Sequence, residues 1–521
     1  MNTDVLIIGG GLTGITAANE IIQHTALQVD LLQCGGGASP HIHGFCIPVG
    51  EKDSWELFYR DTMVSGYGQS DPQLVKVLCG SSASLISYFE ELGLRLDEKD
   101  GAYSLLHSLG STVPRIAAIE NNTGPAMLRT LRQRLKHSPR YTEHPHQRAL
   151  ELLKENDRVI GARCFDLERQ CFYNAYARVV ILASGGFCRL FPESTNSADI
   201  GGDGCAMAFH AGAALTDMEF VQFEPSTAVW PEQVAGKGIV TTMFYDGAVL
   251  RGADGRRFML DYSDKGERVP KDVQARCIFR EMRSHGATPH GGVWFDATNL
   301  PEEKWQGPYL SYLNRYLACG IDLRKEPVEI APAAHTSCGG VRIDEACRTG
   351  IPGLIACGEV AGGLHGANRL GGNAGLETMV FGRIAGKTAT VDAADIALPE
   401  KEELVADKAA DVDVAAMRNQ LRQLLRGNLN VIRDMDTLPE VQQELAKLSA
   451  SLGGYRDSYD KFRLHNDILT ARLLLSGAMA RPASVGCHIW ENEGAAEAPY
   501  RVVLKSQDGE IIVSREMISE K

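Results

Sequence analysis

The chain has 521 residues, of which 44% are hydrophobic and 23% are charged, a balance typical of a globular protein with more than one domain. Its 53 basic and 66 acidic residues give a formal net charge of −13, which argues against a nucleic-acid partner. No run approaches the roughly 20 apolar residues of a membrane span and no signal-peptide pattern is present, so we expect no membrane span and a cytoplasmic location.

The thirteen cysteines show no C-x-x-C pair, and the two closest, Cys164 and Cys171, are seven residues apart. Zinc and iron–sulfur ligands usually come in short paired spacings. We therefore predict reduced thiols and no metal site in this chain. Any iron–sulfur centre that serves it would lie on another protein.

The first predicted elements are a strand, a tight turn and a helix. The apolar run at residues 4–8 leads into Gly9, Gly11 and Gly14, which have the G-x-G-x-x-G spacing of dinucleotide-binding turns. Such glycines permit the turn, let a pyrophosphate approach the backbone, and allow the helix to pack closely on the strand. The helix N-terminus would face the phosphates. The predicted cofactor-binding residues here are Gly9, Gly11, Leu12, Thr13 and Gly14.

The second predicted strand covers residues 29–33. An acid that binds a ribose diol is usual at its end, and Gln33 stands there instead. Because an amide can also hydrogen-bond hydroxyls, we keep Gln33 and the adjacent Cys34 as cofactor-binding residues. In the loop that follows, we expect Ser39 to hold the pyrophosphate or the ribityl chain.

Two later stretches end buried-strand patterns with polar or glycine residues. The first ends at Ala183, Ser184 and Gly185, and Asp203 follows it just before an Ala-rich helix. The second ends at Gly358 and Glu359, where a carboxylate suits sugar or ribityl hydroxyls. We predict that Ala183, Ser184, Gly185, Asp203 and Glu359 bind the cofactor.

In the stretch at residues 363–375, Arg369 is surrounded by glycines, which have no side chains. A helical apolar pattern follows directly. We expect Asn373, Gly375 and Leu376 to open a helix whose N-terminus faces the cofactor. Arg369 would project to the other side and grip a substrate carboxylate bidentately. The alternative is that Arg369 only pairs with a structural acid.

The motifs GGGLTG, ASGG, GDGCAMAFHAG, EFVQFEP, AHTSCGGV and GEVAGGLHGANRLGGN are spread along nearly the whole chain. In this order they resemble the flavoprotein-subunit family of succinate dehydrogenase, fumarate reductase and L-aspartate oxidase. The resemblance implies FAD and hydride transfer between flavin N5 and a carbon of an activated organic acid. It also implies an α/β fold in which a doubly wound, Rossmann-like FAD-binding domain is interrupted by an α+β capping domain and followed by a C-terminal helical region.

We place the FAD-binding domain at residues 1–230 and 333–395 and the capping domain at residues 231–332. The C-terminal region, residues 396–521, would be helical and would end in a hairpin whose turn is the DG pair near residue 508. Closure of the capping domain would exclude water from the substrate.

The resemblance assigns catalytic roles residue by residue. His335 matches the histidine that polarises the substrate, and Thr242 matches a substrate-binding threonine. Lys271 stands in the place of the proton-shuttling arginine, and we predict that it keeps this role; Arg268 and Arg276 are the alternatives.

Two further departures concern the substrate. Glu224 replaces a histidine that faces the substrate in much of the family, and Met243 replaces a common acid. A carboxylate beside a dicarboxylate repels it by about 1 kcal/mol in water and about 4 kcal/mol in a partly buried site at 4 Å. We therefore expect an organic acid or enone with one carboxylate or carbonyl near Arg369 and His335, and a neutral, hydroxylated or cationic group at the other end.

Three alternatives remain. The first is an L-aspartate oxidase-like oxidation of a C–N bond, in which Ser108 stands near the position of a glutamate that meets the amino group. The second is a flavoprotein of the fumarate reductase or succinate dehydrogenase type. The third is a flavin-binding subunit without catalysis.

The mode of flavin attachment and the electron partner are the last predictions. Relatives with covalent FAD use a histidine in the loop that here contains His41, His43 and Cys46, but Pro40 breaks the pattern, so we expect non-covalent FAD. A separate electron-transfer protein is compatible with the resemblance. Val485 replaces an arginine near the family's partner interface, which counts against an iron–sulfur partner.

Overall fold

The computed structural model describes residues 1–120, 122–394, 396–398, 411–492 and 497–519. Residue 395, the last residue of the predicted FAD-binding domain, and residues 399–410 of the predicted C-terminal region lie outside the described residues.

The strands follow one another along the chain in this order: β1 (Asn2–Ile8), β2 (Val29–Gln33), β3 (Phe45–Cys46), β4 (Glu98–Lys99), β5 (Ala102–Tyr103), β6 (Ile116–Ala117), β7 (Tyr141–Pro145), β8 (Gln147–Glu155), β9 (Arg158–Asp166), β10 (Cys171–Leu182), β11 (Leu215–Thr216), β12 (Val221–Ala228), β13 (Val249–Arg251), β14 (Val293–Asp296), β15 (Val328–Ser337), β16 (Gly340–Arg342), β17 (Leu354–Ala356), β18 (Ala361–Gly362), β19 (Tyr500–Gln507) and β20 (Glu510–Met517).

The α-helices between and after them are α1 (Leu12–His24), α2 (Trp55–Ser65), α3 (Pro72–Ser82), α4 (Ser84–Glu91), α5 (Thr123–Leu135), α6 (Asp203–His210), α7 (Met243–Asp246), α8 (Lys271–Ser284), α9 (Glu302–Trp305), α10 (Leu310–Leu317), α11 (Asn373–Ala393), α12 (Val414–Asn428), α13 (Leu438–Leu452) and α14 (Tyr459–Ala480).

The largest sheet has seven strands in the order β7-β2-β1-β10-β9-β8, and β17 also pairs with the end of β10. Strands β7, β2, β1, β10 and β17 run parallel, whereas β8, β9 and the start of β10 are antiparallel. Because parallel strands end at the same edge, the segments that follow Ile8, Gln33 and Leu182 meet there.

Both faces of this sheet are covered, as the alternation of side chains in β1 shows. Val5 and Ile7 pack into a core with α1, α5 and α11, and Leu6 and Ile8 pack into another with α6 and the C-terminal helices. Since successive side chains of a strand point to opposite faces, an unbroken apolar run serves both cores. The predicted doubly wound α/β fold is confirmed.

The segment between β12 and β15 has a hydrophobic core of its own, which runs from Ala228 to Ile330. It surrounds an antiparallel sheet in the order β12-β15-β14-β13. Strands β12 and β15 therefore connect this segment with the FAD-binding domain, and α8 packs against both of them. The domain boundaries at 231 and 332 stay a prediction.

In the C-terminal region, α12, α13 and α14 pack against one another, and α14 also packs against α6. Strands β19 and β20 form an antiparallel hairpin, which extends a sheet with β11, β16 and β18. Asp508 and Gly509 at its turn both have positive φ, 51° and 83°, as a two-residue hairpin turn of type I′ requires. In the part of the chain that the structure describes, no helix is both long and apolar enough to cross a membrane.

The close approach of α1 to the turn after β1 gives a first prediction. A Cβ atom added to Gly14 would lie 2.0 Å from the carbonyl oxygen of Gly9, so Gly14→Ala forces α1 away from the turn. We expect this overpacking to cost about 1–3 kcal/mol of stability. It should appear as a lower melting temperature and a lower flavin content of the purified protein.

Gly80→Ala is the matched control, because Gly80 is also helical and its added Cβ would meet no atom within 4 Å. It should leave the melting temperature unchanged or raise it, since alanine is the better helix former. A Gly14→Ala protein as stable and as yellow as the parent would contradict the predicted role of Gly14.

Candidate active site

A cleft of about 1100 Å³ lies at the carboxyl edge of the parallel strands. The turn after β1, the loop after β2, the start of β8, the end of β10 and the N-terminus of α6 all contribute to its walls. The predicted cofactor-binding residues that line it are Gly9, Gly11, Thr13, Cys34, Ser39, Ala183, Ser184, Gly185, Asp203 and Glu359.

The turn after β1 has the shape that a pyrophosphate needs. Gly9 has a φ of +119°, and a Cβ there would lie 2.1 Å from the carbonyl oxygen of Ala183. The first N–H groups of a helix have no partner within the helix, and here the Ser39 hydroxyl accepts one of them, from Leu12, at 2.7 Å. The remaining donors and the positive helix end suit phosphate oxygens.

The residues on the opposite wall of the cleft are also suited to FAD. The Ser184 hydroxyl is buried and has no hydrogen-bond partner among the described residues, as expected of a group that hydrogen-bonds a ligand. Burial, reinforced by the charge of Glu377, raises the pKa of the Glu359 carboxyl to about 7. A group that is partly protonated near neutral pH can donate to or accept from a hydroxyl. The cleft therefore fits the phosphates and the polyhydroxyl chain of FAD.

Some predicted cofactor residues lie behind the wall of the cleft. Gly14 packs on Gly9, as described above, and Leu12 is fully buried in the core. Gln33 donates to the carbonyl of Gly35 at 3.0 Å and accepts from Arg132 at 2.9 Å. Its role as a ribose ligand stays a prediction.

The residues at the start of α11 that line the cleft are not the ones predicted to bind the cofactor. Ala374, Glu377 and Thr378 contribute to the wall, whereas Asn373 donates to Thr62 at 3.2 Å and Leu376 is fully buried. Gly375 lies where a Cβ would approach the carbonyl oxygen of Gly44 to 2.8 Å. The helix end thus faces the cleft, but one of its sides packs on the loop after β2.

Sequence reasoning missed several lining residues that carry no glycine signature. Arg148, at the start of β8, donates to Asp203 at 2.5 Å and to the carbonyl of Asp199 at 2.8 Å. An arginine inside an apolar strand was the available signal. The other lining residues that were missed include Gln147, Ala149, Asp199, Gly201, Met207, Glu377 and Thr378.

Four of the five predicted catalytic residues lie together near the base of the capping segment. Glu224 is on β12, His335 is on the neighbouring β15, and Lys271 is the first residue of α8. The Lys271 ammonium donates to Glu224 Oε2, and His335 Nε2 is 3.7 Å from the same oxygen. Arg369 lies close enough for its charge to act on all three groups.

The ion pair governs the charges of its two members. Burial alone would raise the pKa of the Glu224 carboxyl, but the charge of Lys271 and its hydrogen bond hold this pKa below its ordinary value. Burial lowers the pKa of Lys271, Arg369 lowers it further, and Glu224 acts in the opposite direction. Glu224 is therefore ionised at neutral pH, and its negative charge is balanced by Lys271.

His335 adds no charge at neutral pH. Burial, together with Lys271 and Arg369, lowers its pKa to about 3, against the pull of Glu224. Its Nδ1 lies 2.8 Å from the Thr195 hydroxyl, and its carbonyl accepts from Asn196 at 2.8 Å. Neither Thr195 nor Asn196 carries a sequence signal for this positioning role.

Arg369 has no acidic partner among the described residues. It is 6% exposed, its Nε is buried without a hydrogen bond, and Nη1 reaches only the carbonyl of Leu370 at 3.5 Å. Gln222 holds the loop by donating to the Arg369 carbonyl at 2.8 Å and to Asn368 at 2.7 Å. A buried guanidinium without a counter-ion is costly unless a ligand supplies the negative charge.

The remaining predicted positions lie around this cluster. The Thr242 hydroxyl makes its hydrogen bond with Tyr309, at 3.5 Å, and not with the four clustered side chains. Arg268, an alternative proton donor, lies over the ring of Tyr245 at 5.8 Å. The other alternative, Arg276, lies further along α8.

Ser108 lies against the loop that carries Arg369, because a Cβ on Gly371 would be 2.3 Å from its hydroxyl oxygen. In the loop after β2, Cys46 donates to the carbonyl of Gly371 at 3.1 Å, and His43 accepts from Thr123 at 2.6 Å through its carbonyl. Non-covalent attachment of FAD stays a prediction.

Comparisons with known proteins agree with this arrangement. A family model described as FAD binding domain matches residues 4–374. One chain of the fumarate reductase (CoM/CoB) of Methanothermobacter marburgensis is 33% identical, and the match covers 94% of each of the two chains. L-aspartate oxidase of Yersinia pestis is 31% identical over 93% of this chain and 95% of that one.

Solved structures of two flavoproteins superpose on nearly the whole chain. A mutant FrdA of E. coli quinol fumarate reductase gives a TM-score of 0.90 at 25% identity and covers 99% of this chain and 97% of its own. Sdh1 of Mycobacterium smegmatis in complex with UQ1 gives 0.86 at 27% identity, with 100% and 95% covered.

The fold, the glycine cradle and the matching family model define an FAD-dependent oxidoreductase. Within that class, the chain belongs to the flavoprotein family of fumarate reductase, succinate dehydrogenase and L-aspartate oxidase. The resemblance inferred from the motifs and the predicted FAD are thereby confirmed.

The charge state of His335 can be tested directly. Its pKa of about 3 predicts a neutral imidazole from pH 5 to pH 8, so its ring resonances should not shift in that range. Histidine-labelled protein and a His335→Gln variant, which assigns the signal, allow the measurement by NMR.

The same shift has a consequence for stability. Because an unfolded histidine takes up its proton near pH 6.5, lowering the pH from there to about 3 favours the unfolded state through His335. In the NMR experiment, a titration midpoint of the His335 ring between pH 5 and pH 8 would contradict the assignment of a neutral imidazole.

Proposed function

We propose that this FAD-dependent oxidoreductase reduces, or in reverse forms, a C=C bond next to a single carboxylate or carbonyl group. The proposal depends on the net charge of the four clustered side chains, Glu224, Lys271, His335 and Arg369. Arg369 has no acidic partner among the described residues, whereas the charge of Glu224 is balanced by Lys271. Lys271 and Arg369 each add one positive charge and Glu224 one negative charge, so the cluster carries a formal charge of +1.

Arg369 is the proposed anchor for the substrate carboxylate. Its guanidinium offers a planar fork of donors that matches a carboxylate in two parallel hydrogen bonds. His335 is neutral and adds a hydrogen-bonding group without a second positive charge. Together they would stabilise negative charge that develops on the carbonyl or carboxylate oxygen.

The ion pair explains why a second carboxylate fits poorly. A second substrate carboxylate next to Glu224 would lie near Lys271, whose positive charge is already balanced by Glu224. It would be desolvated without gaining an attraction, and at about 4 Å Glu224 repels it by about 4 kcal/mol in a partly buried site. Lys271 offsets part of this repulsion. The result favours a neutral, hydroxylated or cationic group at this end.

Lys271 is the proposed proton donor. Bound FAD supplies the hydride chemistry of the reaction. Lys271 holds a proton at Nζ, and its lowered pKa makes it a better acid than an ordinary lysine. Glu224 keeps the ammonium charged and fixes its position, so that the proton is held near the substrate.

A C–N oxidation is the second candidate, because relatives named L-aspartate oxidase match this chain at about 30% identity and Ser108 lies against the loop that carries Arg369. The Glu224–Lys271 pair argues against this reaction, since Glu224 is already paired and is not available to bind a substrate amino group.

The proposed partner is a separate electron-transfer protein. The relative from M. marburgensis is named as one subunit of its enzyme, which supports this proposal.

Substrate preference tests the proposal. Under anaerobic conditions, the reduced enzyme should be reoxidised by α,β-unsaturated monocarboxylates or enones, and much more slowly by fumarate. Arg369→Gln should lower kcat/KM for the monocarboxylate by about 10²–10⁴-fold, because two charge-assisted hydrogen bonds are lost.

Arg129→Gln is the control, because Arg129 is exposed and pairs with Glu120 at the surface. Rapid reoxidation by fumarate and none by monocarboxylates would refute the monocarboxylate assignment. Unchanged turnover of a flavin-loaded Arg369→Gln enzyme would exclude Arg369 as the anchor. No turnover of the parent with any of these substrates would indicate a flavin-binding protein without catalysis, and turnover with L-aspartate alone would favour C–N oxidation.

The pH dependence of the reduction tests the role of Lys271. Reduction should slow as the pH rises through the lowered pKa of Lys271, because the deprotonated amine has no proton to give. Glu224→Gln removes the charge that raises this pKa, so the alkaline limb should move to lower pH. Lys271→Arg should move the limb to higher pH, since arginine stays protonated to about pH 12.

Profiles of kcat/KM against pH for the three proteins provide the measurement, with flavin content as the control for folding. An alkaline limb that stays at one pH in all three would exclude Lys271 as the donor.

A further inference from the structure

A second pocket, with a volume of about 600 Å³, lies between the loop after β10 and two helices of the C-terminal region. Four arginines line it: Arg189, Arg418, Arg422 and Arg463. Asp467 is the acid among its described lining residues. Such a concentration of positive charge stands out in a chain with a net charge of −13.

Three elements bring these arginines together. Arg418 and Arg422 are four residues apart on α12 and so share a face, as do Arg463 and Asp467 on α14. Arg189 comes from the short turn that follows β10. Two like charges at this helical spacing destabilise a helix, so the arrangement is unfavourable without a partner of opposite charge.

The described residues do not neutralise the cluster. Asp467 Oδ2 is 3.7 Å from Arg418 Nε, and the Nε atoms of Arg189 and Arg463 are buried without a hydrogen-bond partner. Burial lowers the pKa of Arg422, and the other three arginines lower it further, with Asp467 opposing them. Four positive charges and one negative charge leave a formal charge of +3, together with unused donors.

FAD does not account for these arginines. Gly201 is the residue that the two pockets share, and the four arginines line only the second one. The phosphates of FAD have their cradle at the turn around Gly9 and Gly11, where the glycine backbone and the end of α1 provide the donors. The arginine pocket therefore neighbours the FAD cleft without belonging to it.

We propose that this pocket binds a small phosphate-bearing anion, either a pyrophosphate group or a phosphate monoester. Guanidinium groups pair bidentately with phosphate oxygens, and the formal charge of +3 suits an anion with two or three negative charges. Because part of this volume is open to solvent, an organic group attached to the phosphate could extend out of the pocket.

Calorimetric titration of the FAD-loaded enzyme with pyrophosphate, at an ionic strength held constant with sodium chloride, tests the proposal. We expect saturable binding, and Arg422→Gln and Arg463→Gln should each weaken it by about tenfold or more, because each removes charge-assisted hydrogen bonds. Arg169→Gln, at an exposed position outside the pocket, should bind as the parent does.

Flavin content and melting temperature show whether the variants are folded. Inorganic phosphate and citrate in the same assay separate phosphate recognition from general attraction of anions. Absence of saturable binding, equal affinity in the two pocket variants and the parent, or tighter binding of citrate than of pyrophosphate would each overturn the proposal.

Discussion

The ion pair between Lys271 and Glu224 sets the charge of the whole candidate active site. Without Lys271, Glu224 would be a buried anion beside His335, and such an uncompensated charge costs several kcal/mol. With the pair formed, the negative charge is balanced, His335 stays neutral and Arg369 remains as the unpaired cation. The proposed preference for one carboxylate follows from this balance.

The fold holds the pair in place through elements that are far apart in sequence. Strands β12 and β15 are neighbours, so Glu224 and His335 come together across one antiparallel ladder. Helix α8 packs on both strands and presents Lys271 from its first turn. Gln222, on the same strand as Glu224, fixes the loop that carries Arg369. The proposed anchor for the carboxylate and the proposed proton donor are thereby tied to one sheet.

Local features of the sequence predicted the parts of the structure that depend on local physics. The turn after β1 could be foreseen because the positive φ of Gly9 and the close contact at Gly14 require glycine. The buried strand β1 followed from its apolar run. Glu224 was recognised as a negative charge in the substrate site, but its pairing with Lys271 joins positions 47 residues apart and has no local signature. Thr195 was missed for the same reason, because its contact with His335 joins positions 140 residues apart.

A crystal structure of the FAD-loaded enzyme with butyrate, a saturated monocarboxylate, would be the sharpest test of this charge balance. We expect the ligand carboxylate in two hydrogen bonds with the Arg369 guanidinium, and the Lys271–Glu224 pair intact beside the ligand carbon atoms. A carboxylate bound instead to Lys271, with Glu224 turned away from it, would rule out Arg369 as the carboxylate anchor and the ion pair as the source of the site's charge.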